Sequence, residues 1–174
     1  MICNFTPFPT LHTQRLILRQ LTLHDEQEIF ELRTNDAVNR FLNRQKPQSL
    51  QDVRQFIQLI TDNVQKNETV YWVIALAHDP KLIGTIILWN LKPENDMAEL
   101  GYELLPQYQG QGLMQEALTS VIGYGFTNMQ LKTIEAGVHI HNNSSIKLLE
   151  KNHFTPQPLL QEEPNMVFYK LQKV

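Results

Sequence analysis

One segment constrains the fold of this chain more than any other. Met97 to Leu105 reads as a strand stopped by Pro106, because proline cannot donate to a ladder. A loop with glycine at 110 and 112 follows, and Leu113, Met114, Ala117, Leu118, Val121, Ile122 and Phe126 then mark one face of a helix over 113–128. Thr133 to His139 is the next strand. A strand–helix–strand crossover makes its two strands parallel neighbours with a right-handed connection. The sheet must therefore contain at least one parallel pair.

Hairpin-length turns join other strands, which are therefore expected to be antiparallel. Val70 to Ala77 and Leu82 to Asn90 are β-branched and aromatic runs separated by His78-Asp79-Pro80-Lys81, and Lys92 to Asp96 makes the turn into strand 97–105. Nearer the start, Leu16, Leu18 and Gln20 alternate with Arg15, Ile17 and Arg19, a two-residue period that predicts a first strand. Thr22-x-x-Asp25 is a capping-box variant leading into Ile29, Phe30 and Leu32, and Ser49-x-x-Asp52 opens an amphipathic helix over 50–65. A helix over 144–152 and a closing strand over 166–171 complete the expected elements, with the proline-bearing stretch 155–164 weakly patterned. A mixed sheet with helices on its faces follows.

With 174 residues, 42% apolar and 19% charged, the chain fits one globular domain over 1–174 rather than a disordered, collagen-like or coiled-coil protein. Its 15 Lys and Arg against 18 Asp and Glu leave a net charge of −3, so no general field draws in nucleic acid or an anionic membrane. Neither partner is expected. Cys3 is the single cysteine, the first residues lack a signal-peptide pattern, and Leu82 to Leu91 is too short to span a bilayer. A cytoplasmic location is expected.

Gln107 to Leu113 lies where a strand ends and a helix begins, so unpaired amides and the helix dipole favour an anion there. Gly110 and Gly112 permit positive-φ turns and close approach of phosphate oxygens to the backbone. The loop has no Lys or Arg, so pyrophosphate binding is expected to rest on amides. No Gly-Lys-Ser/Thr follows, which excludes the phosphate loop of nucleotide hydrolases, and Gln115 stands where a dinucleotide fingerprint needs glycine. The pattern that fits is Q-x-x-G-x-G, as Gln107-x-x-Gly110-x-Gly112.

On this motif the chain resembles the GNAT superfamily of acyl-CoA-dependent N-acyltransferases. Thr13 to Arg19, Ala98 to Leu104, and Asn142-x-x-Ser145 followed by Leu149-Glu150-Lys151-x-x-Phe154 extend the likeness to its ribosomal-protein N-terminal acetyltransferase-like branch. Two departures stand out: His153 replaces a frequent glycine, and the final hairpin is short. The resemblance implies an α+β GNAT fold, with a mostly antiparallel sheet of six to seven strands, one parallel pair and helices on both faces. It also implies acetyl-CoA as cosubstrate, a primary amine as acceptor and direct attack in a ternary complex, by a monomer or homodimer.

By the same resemblance, coenzyme contacts fall on Leu104, Leu105, Gln107, Gln109, Gly110, Gln111, Gly112, Leu113, Met114, Asn142 and Ser145. Glu99 matches the carboxylate used as general base, directly or through water. A backbone amide of 102–105 would polarise the thioester oxygen. Many relatives protonate the thiolate with a tyrosine where this chain has Leu149, which makes Ser145 the candidate donor. Both assignments have plainer alternatives: Glu99 as an exposed strand residue, and Ser145 as part of a helix start with Asn142, Asn143 and Ser144.

Strand alternation places Glu99, Gly101, Glu103 and Leu105 on one face and Ala98, Leu100, Tyr102 and Leu104 on the other. Glu99 and Glu103 are then about 13 Å apart, too far for an acid–base dyad. Roughly a tenth of an α-amine is neutral at pH 7, against under one in about a thousand for lysine, so a weak carboxylate base favours an N-terminal acceptor. Polyamines or aminoglycosides remain alternative acceptors, which Glu68, Glu94 or Asp96 would suit, as does a non-catalytic acyl-CoA-binding module. His139, His141 and His153 lack a completing cysteine or carboxylate cluster, so no metal is expected.

Overall fold

A computed structural model describes all of residues 1–174. The strands are β1 (Leu11–His12), β2 (Leu16–Gln20), β3 (Val70–Leu76), β4 (Asp79–Lys92), β5 (Met97–Leu104), β6 (Thr133–His139), β7 (Thr155–Pro156) and β8 (Met166–Gln172). The helices are α1 (Glu26–Thr34), α2 (Asp36–Asn39), α3 (Leu50–Gln65), α4 (Leu113–Thr127) and α5 (Asn143–Lys151). All strands join one sheet in the order β1-β2-β3-β4-β5-β6-β8-β7, and only β5 and β6 pair in parallel. The mixed α/β architecture read from the sequence, a mostly antiparallel sheet with one parallel pair, is present. The count reaches eight because β1 and β7, of two residues each, are too short to leave a periodic signal.

Both capping boxes form, Thr22 with Asp25 and Ser49 with Asp52. The first opens a single 3-10 turn, Leu23–Asp25, before α1 begins. Asp25 is 4% exposed, and Arg19 donates to its two oxygens at 3.0 and 2.6 Å, so burial of this carboxylate is compensated. The β3–β4 turn is tighter than expected. Leu76 pairs with Asp79, so Ala77 and His78 alone make the turn, and Pro80 lies inside a strand. Proline is tolerated there because β5 reaches only as far as Gly84, leaving that end of β4 as an edge.

Adjacent aromatic residues show how the layers stack. Trp72 meets Tyr124 of α4 edge-on at 5.4 Å, whereas Tyr71 meets Phe56 of α3 at 6.1 Å. Since neighbours in a strand point to opposite faces, α4 covers one face of the sheet, and α3 with α1 covers the other. Gly84 lets β4 approach β5: a Cβ there would lie 2.4 Å from the Glu103 carbonyl oxygen. Gly101 is not at a bulge; it pairs in regular register with Ile87, whose side chain fills the space a Cβ would need.

The parallel pairing is brief. Met97, Ala98 and Glu99 face Thr133, Ile134 and Glu135, and there the contact ends. β5 continues along β4, and β6 continues along β8 to His139. A wedge therefore opens between the two strands beyond Glu99. No helix is long and apolar enough to cross a membrane.

Candidate active site

The wide end of the wedge leads to the glycine loop. Gly110 and Gly112 have φ of +74° and +76°, and Gly112 caps α4. Nothing lies within 4 Å of a Cβ built on Gly110, so backbone conformation rather than crowding demands glycine at that position. None of the six amides from Gly110 to Gln115 donates to an acceptor in the protein. Together with the α4 dipole they form an anion-binding concavity that includes Leu113 and Met114. The glutamines brace it. Gln109 Nε2 donates to the Leu104 carbonyl at 2.8 Å, and Gln111 Nε2 to the Gln107 carbonyl at 3.0 Å.

Beside these amides stands Arg15, already paired with Glu116, which comes from outside the loop. From the start of β2, Arg15 Nη1 donates to the Gln111 carbonyl at 3.0 Å, and its Nε donates to Glu116 at 2.7 Å. The remaining terminal nitrogen lies 3.5 Å from where a Gly112 Cβ would stand. A guanidinium thus reaches the loop from 96 residues away. Local reading could not find it, although Arg15 belongs to the Thr13–Arg19 motif.

Along the wedge, the Leu105 amide donates to the Ile83 carbonyl at 2.9 Å, which removes it from the expected oxyanion donors. Alternation then turns the amides of Tyr102 and Leu104 toward the unpaired edge. Asn142 caps α5, its Oδ1 accepting from the Ser145 amide at 3.3 Å. The Ser145 hydroxyl lies 2.6 Å from Tyr102 Oη instead of capping the helix. Burial pushes Tyr102 up to about 12, a rise partly offset by the hydrogen bond to Ser145, so the phenol keeps its proton near neutral pH.

Glu99 lies on the opposite face, level with Glu135 of β6 and Trp89 of β4. Asn90 Nδ2 donates to Glu99 Oε1 at 2.5 Å, from a residue at φ +44° beside the irregularity in β4. Glu135 is itself paired with Lys170 at 2.9 Å. Trp89 is 46% exposed and belongs to the rim of this face rather than to the core. Glu103 is held differently, since Arg44 donates to both its oxygens at 2.7 and 2.5 Å. Of the three carboxylates on this face, Glu99, Glu103 and Glu135, Glu99 is the one without a cationic partner.

The acidic residues considered for a basic acceptor sit elsewhere. Glu68, Glu94 and Asp96 occupy turns at the end of the sheet away from the glycine loop. Hydrogen bonds from Lys132 and the Met1 amine hold Asp96 down at about 2. His139 stacks on Phe41 at 5.2 Å, and its Nδ1 accepts from the His141 amide at 3.2 Å. The partners Tyr102, Asn90 and Arg44 escaped the sequence reading because each acts through a contact between elements.

The sequence matches an acetyltransferase (GNAT) domain over residues 15–155. It is 34% identical over 155 residues to the uncharacterized N-acetyltransferase YoaA of Bacillus subtilis, covering 89% of this chain and 88% of that protein. A ribosomal-protein-serine acetyltransferase of Escherichia coli is 28% identical over 116 residues, 66% of this chain and 63% of its own length. In three dimensions, the RimL ribosomal L7/L12 α-N-protein acetyltransferase in complex with coenzyme A superposes with a TM-score of 0.84 at 18% identity, covering 94% of this chain and 98% of that one. With its fold, its glycine loop and these likenesses in agreement, the chain belongs to the GNAT acetyltransferase family and is an N-acetyltransferase.

Proposed function

We propose that this enzyme transfers the acetyl group of acetyl-CoA to a primary amine, with a protein N-terminal α-amine the favoured acceptor, by direct attack within a ternary complex. The observation that carries this reading is the wedge between β5 and β6, which ends on the free amides at Gly110–Gln115 and is flanked by Glu99 on one face and Ser145 with Tyr102 on the other. In this reading those amides hold the coenzyme pyrophosphate, Arg15 adds charge, and Gln107, Gln109 and Gln111 keep the loop in shape. The unpaired edge at Leu104, beside Leu105, and the side-chain Nδ2 of Asn142 hold the pantetheine arm.

The amine attacks the thioester carbon, whose oxygen is polarised by the Tyr102 or Leu104 amide. The C–N bond forms, the C–S bond breaks, and the proton lost by nitrogen passes through water held by Glu99. The sulfur leaves toward the Ser145 hydroxyl and gains one proton, which balances the one released. No covalent acetyl-enzyme is needed. The whole chain, 1–174, works as one domain, a reading supported by its single sheet and by a core that spans it. The E. coli relative named for ribosomal-protein serine favours the N-terminal acceptor over polyamines and aminoglycosides.

Thiol release from acetyl-CoA, measured side by side with N-terminal peptides, polyamines and aminoglycosides, tests the acceptor. Glu99→Gln tests the base: we expect kcat to fall about tenfold or more, within the usual contribution of general-base catalysis, while acetyl-CoA affinity is retained. Unchanged turnover in Glu99→Gln would remove that role, and faster release with polyamines than with any peptide would favour the small-molecule reading.

A further inference from the structure

The segment 40–49 between α2 and α3 crosses the Glu99 face of the wedge. Phe41 stacks on His139 at the far end of β6, while Arg44 grips Glu103 on β5 and donates to Asn39 at 2.7 Å. One segment is therefore anchored to both diverging strands. Between it, α1 and α3 lies a cavity of about 400 Å³, whose lining includes Arg33, Gln45, Lys46, Gln48, Asp52 and Phe56.

The charges around this cavity are equal in number, Arg33, Arg44 and Lys46 against Glu103, Asp36 and Asp52, but they are not evenly paired. Both Glu103 oxygens are taken by Arg44, and Lys46 is paired with Asp36. The Asp52 carboxylate accepts from the amides of Gln48 and Ser49 in the α3 cap. Arg33 lies 4.0 Å above the Phe56 ring and has no acceptor of its own in the protein. Burial, and then the neighbouring Arg44 charge, draw Arg33 below the ordinary arginine range. Arg33 is thus a partly buried guanidinium whose nitrogens lack an acceptor, and a bound carboxylate would supply one.

We propose that Arg33, with the side-chain amides of Gln45 and Gln48, forms a subsite for a carboxylate side chain of the acceptor peptide. This rests on the reading that the acceptor is a protein N-terminus. The spacing follows from the strand. Arg33 feels the charge of Glu103 and so lies beside it, and Glu103 is four residues beyond Glu99, about 13 Å, a distance that an extended peptide covers in about four residues. The subsite therefore selects N-termini with an acidic residue at roughly the third to fifth position.

The test uses a fluorescent N-acetylated hexapeptide, a product analogue, with glutamates at positions 3–5, against its glutamine counterpart. Binding to the coenzyme A-loaded protein is read by anisotropy. Wild type should bind the glutamate peptide about tenfold tighter, as expected for a charge-assisted pair. Arg33→Gln should bring the two peptides within about twofold, and Arg33→Lys should keep part of the preference. Equal binding of both peptides by wild type, absence of any binding, or a preference that survives Arg33→Gln would overturn the subsite. If binding depends on Arg33 but no free-amine peptide releases thiol, the subsite stands and the N-terminal acceptor reading fails.

Discussion

Tyr102 and Ser145 meet hydroxyl to hydroxyl at 2.6 Å, joining a strand on one side of the wedge to the first turn of a helix on the other. Because Asn142 supplies the cap of that helix, the serine hydroxyl is spared for this contact. A tyrosine that stays protonated can donate to Ser145 Oγ and leave the serine proton aimed at the departing sulfur.

Tyr102→Phe tests that arrangement. We expect kcat for thiol release to fall about five- to tenfold, the worth of one hydrogen bond, with KM for acetyl-CoA within about twofold. Ser145→Ala should fall at least as far, and the double variant no further than Ser145→Ala, since the two act as one unit. An unchanged kcat in Tyr102→Phe would leave the pair a structural role only.

The same phenol makes stability sensitive to alkali. Its folded value of about 12 exceeds the usual tyrosine value of about 10, so between those pH values the folded state holds more protons than the unfolded one. The contribution is whole below pH 10 and is lost as pH rises toward 12. Tyr71, buried against α3 and also raised by burial and by the Glu103 charge, acts in the same direction. Urea unfolding at about pH 9 and about pH 11 should show a smaller loss for Tyr102→Phe than for wild type.

Gly110→Asp should weaken acetyl-CoA binding, through strain at φ +74° and through charge facing the phosphates. Arg15→Gln should weaken it less and flatten its dependence on salt, because one screened charge is removed while the amides remain. Calorimetry checks both. Wild-type affinity in Gly110→Asp would take the coenzyme away from this loop.

His153 holds φ +66° just after α5, with its amide donating to the Glu150 carbonyl and that of Phe154 to Leu149. This is a Schellman end, where glycine adopts the backbone without a Cβ penalty. His153→Gly should therefore stabilise the protein by about 1 kcal/mol and raise Tm by about 2–4 °C. An unchanged or lowered Tm would show that the imidazole compensates its own strain.

The strand–helix–strand unit and both capping boxes were legible because each is written in consecutive residues, where periodicity and capping act. The glycine loop was legible for the same reason, with Gly110 and Gly112 close to their helix. Arg15 was not, because its contact with Gln111 exists only once β2 lies beside α4. The Glu103–Arg44 pair likewise joins residues 59 apart, and no spacing rule separates Glu103 from Glu99 before Arg44 arrives. The early start of β4 was hidden by Pro80, which signals a turn unless the local edge of the sheet is known.

Only Met97, Ala98 and Glu99 knit the five strands β1–β5 to β6, β8 and β7. Across that short seam the two sides of the sheet are held by α4, which packs on β2 and β3, and by the single core that spans both. A coenzyme arm lying in the wedge, as proposed, would add a further bridge between the two sides of the sheet. Cosubstrate supply would then also tune the stability of the whole chain, because a ligand bound only by the folded state stabilises it.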